Sequence, residues 1–197
     1  MVLDPHSSPR LKAGAFCGQR GKYAPQYDRR TMELWLCPQF QYTYAGDDLG
    51  GRPKDMSLYT DGRVDFDLMA KSDRFIERLD VLSNEIGSGK RIVLMCSERD
   101  PVCCHRFVLI SRNLKKFGHN ITHILGSSET HPNRFLESQE ALERRMMHSL
   151  AGYATPNLFD SAEVTLDRAF NAQGRKIAYK LKEKNDNGRN GGIVGKA

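Results

Sequence analysis

From Ser72 onward, apolar residues recur at helical spacing: Phe75, Ile76, Leu79, Leu82 and Ile86. That period predicts an amphipathic helix with Ser72 as its N-cap, stopped by Gly87-Ser88-Gly89. Ile92-Val93-Leu94-Met95-Cys96 comes next, an unbroken apolar run that predicts a strand buried on both faces. Asp100-Pro101 then joins an N-cap residue to a proline suited to the first helical position. A helix starting there would carry Val102, Val108, Leu109, Leu114 and Phe117 as far as Gly118. Ile121-Thr122-His123-Ile124-Leu125 reads as a further strand. Strand, helix and strand in this order predict a β-α-β unit with parallel strands and a right-handed crossover.

Other segments extend the pattern. Residues 40–45 are aromatic and Thr-rich, a strand composition, and residues 29–36 before them suit a short helix. Val2-Leu3 is the stub of another strand, residues 10–27 read as an irregular excursion, and residues 46–64 read as a Gly-, Asp- and Pro-rich loop. Residues 138–150 look helical, and Asp160 to Glu163 resembles a capping box for a helix reaching about Lys184. The expected fold class is α/β, a mostly parallel sheet flanked by helices, with a helical C-terminal extension. The expected boundaries are an α/β core over 1–132, the extension over 133–184 and a flexible basic tail over 185–197.

Composition narrows the function classes. The chain has 197 residues, 39% of them hydrophobic and 27% charged, enough to bury a core. No apolar run approaches the roughly 20 residues of a membrane-spanning helix, and the start lacks the regions of a secretory signal. Five cysteines make no even disulfide framework, which suits a reducing compartment, so a cytoplasmic location without membrane contact is expected. The net charge of +6 suggests an anionic partner. Residues 1–167 hold 22 basic and 22 acidic side chains, so the whole excess lies in 168–197. A solvated helix face with a loose tail is the plainer account of that excess, and nucleic-acid binding through 168–197 is the alternative.

In an open parallel sheet, loops leaving the C-terminal strand ends share one edge, where ligands bind. That rule would gather Asp4-Pro5-His6, residues 46–52, residues 96–106 and residues 126–131 around one polar pocket. Cys96 falls at a strand end, and Cys103 and Cys104 fall in the first turn of the following helix. Unpaired N–H groups and the helix dipole there stabilise an anion, which could be a reactive thiolate or a bound phosphate gripped by Arg52 or Arg106. Cysteine is also among the most buried residue types, so one of these cysteines is expected simply to pack. His131, in a polar loop, is the better acid/base candidate, and His123 reads as a satisfied core histidine. Gly50-Gly51 marks a turn needing positive φ or a close backbone approach.

Several sharper motifs do not fit. The arginine that closes a cysteine-phosphatase loop would fall on Val102, and no Cys-x-x-Cys pair occurs. Adjacent Cys104 and His105 argue against a structural zinc site, so no metal and no cofactor are expected. There is no Gly-rich nucleotide loop of the usual types.

Leu94-Met95-Cys96-Ser97-Glu98, Asp100-Pro101, Cys104-His105-Arg106 and Ile121-Thr122-His123-Ile124 together resemble domain-of-unknown-function family 488, a family of prokaryotic cytosolic α/β proteins. Leu49-Gly50-Gly51-Arg52-Pro53 is similar to its Leu-Gly-Gly loop. Asn157-Leu158-Phe159 and Gln173-Gly174-Arg175-Lys176-Ile177-Ala178-Tyr179 are similar to the tail of one subgroup. The resemblance carries over Cys96, Glu98, Cys104, His105, Arg106, Gly50, Gly51 and His131 as site candidates, and makes Cys103 an ordinary variable position. Against the family pattern the chain would lack the first strand and helix, with Asp4-Pro5-His6 standing where Asp-Val-Arg is expected. The family brings no established activity.

The residues leave two main function classes open. One is an enzyme in which Cys96 or Cys104 is the nucleophile and His105 or His131 the acid/base. Asp4, Gly50, Gly51, Arg52, Glu98 and Arg106 would then hold an anionic substrate such as a nucleotide. The other is a phosphate-binding module with structural cysteines. A redox pair of Cys96 with Cys104 is a third reading and needs their sulfurs within bonding distance.

Overall fold

The computed structural model describes residues 12–17 (backbone only), 41–125, 136–150 and 160–181. The helix predicted behind Ser72 is present as Asp73–Gly87, here α3, and it buries Phe75, Leu79 and Leu82. Ile76 is 40% exposed, so the buried stripe is narrower than the sequence period suggested. Ser72 occupies the N-cap position, yet its hydroxyl donates backwards to Met69 O at 2.8 Å. Before α3 come α1 (Gly46–Leu49) and α2 (Phe66–Lys71), the latter capped by Asp65, whose carboxylate accepts from the N–H of Asp67 and Leu68. Downstream lie α4 (Arg112–Lys116), α5 (Gln139–Ser149) and α6 (Ala162–Ile177). Ser138 caps α5 and Ser161 caps α6, each hydroxyl accepting a backbone N–H. The last helix ends at Ile177, well short of Lys184, and residue 180 instead forms a β-bridge to Arg63.

The expected mostly parallel sheet flanked by helices is not what the chain builds. Helix far outweighs strand among the described residues. The predicted β-α-β unit does not form: β6 (Thr122–Ile124) pairs antiparallel with β7 (Leu136–Ser138) and is not hydrogen-bonded to β5 (Ile92–Cys96). A second antiparallel pair joins β3 (Tyr59–Thr60) to β4 (Arg63–Val64). Among the described residues, parallel pairing is confined to a small ribbon in the order β2-β1-β5, with β2 at Gln41–Thr43 and β1 at Lys12–Cys17. The physical reason is legible in burial. β5 is only half-buried along its length, and β6 buries His123 alone between two exposed neighbours. A strand at the centre of a parallel sheet would be covered on both faces.

A turn and a strand were hidden in segments read as irregular. Asp61 and Gly62 both have positive φ, 51° and 69°, which is the backbone of a tight hairpin turn between β3 and β4. Residues 12–17, placed in an irregular excursion by the sequence, form the middle strand of the ribbon. The strand stub at Val2-Leu3, the short helix over 29–36 and the tail 185–197 lie outside the described residues.

The core is one cluster drawn from helices on both sides of the site. Phe107, Leu109 and Ile110 follow the cysteine segment, Leu142 and Met146 come from α5, and Ala169 and Phe170 from α6. Phe107 is wholly buried, edge-on to His123 and tilted against Phe170 at 5.3 Å between ring centroids. Arg112 clamps α6 from outside: it pairs with Asp167 at 2.8 Å and lies over the Phe170 ring. Gln173 donates to Val102 O at 2.8 Å and so ties α6 to the turn that carries Cys103 and Cys104.

A buried polar chain joins β6 to α5. His123 Nε2 lies 2.6 Å from Gln139 Oε1, Gln139 Nε2 donates to Glu143, and Lys115 pairs with Glu143 at 2.8 Å. A carboxylate only accepts, so the Gln139 amide N faces Glu143 and its oxygen faces His123, which makes Nε2 of His123 the protonated nitrogen. Burial holds the His123 pKa below its usual value of 6.5, opposed by the Gln139 hydrogen bond.

Removing the Phe107 ring should cost about 3–5 kcal/mol as a core cavity, read from the urea midpoint of Phe107→Ala. For His123 the unfolded chain takes up a proton that the folded chain resists. Stability therefore falls as pH drops below about 6.5, since stability rises with pH wherever the unfolded state binds more protons. His123→Gln should flatten that part of the profile between pH 7 and pH 5; an unchanged slope would assign the loss to other groups.

Candidate functional site

Asp100 accepts from the N–H of Val102 at 3.0 Å and caps a single 3₁₀ turn, Pro101–Cys103. The helix predicted to run on to Gly118 breaks here. Cys104 closes the turn through its N–H to Pro101 O and then takes an extended conformation, φ −125° and ψ 140°. Helix restarts at once: Phe107 and Val108 both donate to Cys104 O, and Arg106–Ser111 is a π-helix leading into α4. Cys104 therefore stands where an N-cap residue stands, and its sulfur accepts from the N–H of Arg106 at 3.4 Å as a serine oxygen would. π-turns inside helices are frequent at functional sites. Gly118, at φ 83°, ends the helical stretch.

This break brings side chains together that a continuous helix would separate. The thiol of Cys96 at the end of β5 donates to Glu98 Oε2 at 2.5 Å and lies 3.7 Å from His105 Nδ1. The Cys104 sulfur is 3.5 Å from the same Glu98 oxygen and 3.8 Å from His105 Nδ1. Cys104 and His105 are buried, Cys96 is half-buried, and Glu98 is exposed as a residue although its carboxylate turns inward to the sulfurs. Cys103, one position away, points to solvent. All three cysteines are free thiols.

Arg106 braces the group. Its Nε donates to Cys104 Sγ at 3.3 Å, while its two terminal nitrogens donate to Leu94 O and Glu98 O, both at 3.1 Å. Ser97 Oγ donates to the other oxygen of Glu98. Partial burial and the Cys96 thiol push the Glu98 pKa up. The Cys96 contact and burial push the Cys104 thiol up strongly, against the pull of Arg106. Three acidic groups share one small volume beside one guanidinium.

Gly50 and Gly51 are buried beside this cluster, but positive φ is not the reason for either glycine. Gly50 has φ −73°, and a Cβ there would meet Gly46 O at 2.1 Å. A Cβ on Gly51 would lie 3.0 Å from Cγ of the His105 ring. Close approach is the constraint. The structure thus brings together Cys96, Glu98, Cys104, His105 and Arg106, with Gly51 against them. Arg52 is turned elsewhere, its guanidinium 4.5 Å from the centre of the Tyr179 ring. Asp4 and His131 lie outside the described residues. The expectation that adjacent Cys104 and His105 could not face one point is corrected, because the extended backbone at Cys104 lets both side chains turn to Glu98.

Residues 19–113 match the model of a family described as domain of unknown function DUF488. That segment, just under half of the chain, contains the whole cluster. No curated protein and no solved structure matches the chain. No helix among the described residues is long and apolar enough to cross a membrane.

Gly51→Ala should displace the His105 ring by a few tenths of an ångström and shift its imidazole NMR signals. Gly87→Ala, where an added Cβ meets nothing within 4 Å, is the silent control. Equal responses in the two variants would remove the steric account of Gly51.

Proposed function

We propose that this chain is a thiol-centred enzyme in which Cys96 is the nucleophile and Glu98 its proton acceptor, acting on an anionic substrate. The observation that carries the reading is the 2.5 Å contact from Cys96 Sγ to Glu98 Oε2 at a half-buried strand end, with His105 Nδ1 at 3.7 Å. A nucleophile within hydrogen-bond reach of a base, itself oriented by a third group, is the general arrangement of covalent catalysis. Here Ser97 Oγ orients Glu98. The S–H proton passes to Glu98 Oε2 as sulfur attacks an electrophilic centre, and Glu98 returns the proton to the departing group. The Arg106 guanidinium supplies positive charge beside the sulfurs and favours an anionic substrate over a cationic one.

The alternative, a phosphate-binding module with structural cysteines, needs Arg106 and the helix-start N–H groups to face a ligand. Arg106 instead spends its guanidinium on Leu94 O, Glu98 O and Cys104 Sγ, and its N–H on the same sulfur. That favours the thiol reading. Arg106 becomes a positioning residue and not a phosphate grip.

Peptide-mapped iodoacetamide labelling of the metal-free protein at neutral pH tests this directly. Cys96 should react well ahead of buried Cys104, and Glu98→Gln should slow Cys96. The sign is decisive: a positioned proton acceptor speeds reaction, whereas a mere neighbouring negative charge holds a thiol protonated, so its loss would speed labelling. Faster labelling in Glu98→Gln, or Cys96 no quicker than Cys104, overturns the proposal.

A further inference from the structure

We propose that Cys96, Glu98, Cys104 and His105 form a binding site for a divalent metal ion of borderline softness, of which Zn²⁺ is the type. This goes beyond the thiol chemistry above and does not need Cys96 to act as a nucleophile; it assigns the same four side chains a second ligand.

The donor atoms of the four residues all lie within 4.8 Å of one another. Tetrahedral zinc with sulfur, nitrogen and oxygen ligands at about 2.0–2.3 Å has ligand-to-ligand edges of roughly 3.3–3.8 Å. The Cys96–His105, Cys104–Glu98 and Cys104–His105 separations are 3.7, 3.5 and 3.8 Å. The contact between Cys96 and Glu98, at 2.5 Å, is shorter, and it would open by about 1 Å as the metal replaces the thiol proton. Two sulfurs, an imidazole and one carboxylate are a soft-to-borderline set, unsuited to Mg²⁺ or Ca²⁺, which take oxygen ligands.

Charge supports the assignment. Two thiolates and a carboxylate carry three negative charges, a divalent ion removes two, and Arg106 balances the remaining one.

The surroundings are those of a held ligand set. The N–H and Nε of Arg106 both donate to Cys104 Sγ, Ser97 donates to Glu98, and the lack of a side chain at Gly51 leaves the His105 ring its place. Outer partners of this kind fix ligand orientation and tune affinity. Cys104 and His105 form the inner wall, 1% and 8% exposed, while half-buried Cys96 and exposed Glu98 form the solvent side through which the ion would enter.

The test is titration of the reduced, chelator-stripped full chain with Co²⁺. One equivalent should give the intense visible bands of tetrahedral cobalt and near-ultraviolet thiolate-to-cobalt charge transfer, both abolished by Zn²⁺. Cys103→Ser should leave the spectrum unchanged, Cys104→Ser should remove most of the charge transfer, and Arg106→Gln should weaken binding by about 10–100-fold. Weak octahedral bands without charge transfer from folded protein overturn the proposal, and so does a loss in Cys103→Ser equal to that in Cys104→Ser. If Cys104→Ser does not fold, the unmutated chain still decides: Zn²⁺ should block alkylation of Cys96 and leave Cys103 open, and unprotected Cys96 refutes the site. Slow labelling of metal-free Cys96 counts against the nucleophile alone, whereas absent cobalt bands count against the metal alone.

Discussion

The three-way grip of Arg106 is the contact on which the site depends. One guanidinium reaches the strand carbonyl of Leu94, the loop carbonyl of Glu98 and the sulfur of Cys104. It joins the strand that supplies Cys96, the loop that supplies Glu98 and the helix start that supplies Cys104 and His105. A planar fork with donors at fixed angles can do this, whereas a lysine ammonium offers one point. The Glu98 carbonyl lies in the loop after β5, outside any ladder, so the same contact satisfies a backbone oxygen that would otherwise need water.

Packing continues from that grip into the body of the protein. Phe107, next in sequence, is sealed between His123 and Phe170, and Val102 O is held by Gln173 from α6. Arg145 of α5 pairs with Asp100, the cap of the short turn. Both C-terminal helices therefore touch the segment between Asp100 and Phe107. The chemistry-bearing residues are short-range neighbours in sequence, but their geometry is set by residues forty to seventy positions away.

The sequence disclosed local features and concealed those that depend on pairing. Ser72 and Gly118 bound helices where the sequence placed them, although the Ser72 hydroxyl does not cap, and Ser138 caps the helix expected over 138–150. The cluster Cys96, Glu98, Cys104, His105 and Arg106 was visible as a motif. The broken helix was not, because Asp100-Pro101 starts a continuous α-helix and a 3₁₀ turn equally well. Strand partners were the weakest reading: Ile121 to Leu125 has strand composition, yet its alternating exposure suits an antiparallel edge, which a five-residue run does not reveal. β1, rich in Ala and Gly, lacks the β-branched residues that announce a strand. Asp61-Gly62 carried a hairpin signal that the surrounding Gly- and Asp-rich composition masked. The reason for Gly50 and Gly51 was steric and so required the neighbour, His105, to be in view.

The π-helix at Arg106–Ser111 has a consequence for how this protein tolerates change in length. A π-turn holds one residue more than the α-turn it replaces. Deleting a single residue there would let the segment relax into regular α-helix with the positions on either side nearly in register, because the π-turn had absorbed that residue. The core residues after Ser111 would keep their places, and Cys104 and His105 would stay near Cys96. The same deletion in a regular α-turn would rotate one side against the other by about 100° and shift it by about 1.5 Å, so this turn is where the chain bears a change in length without separating the four donors.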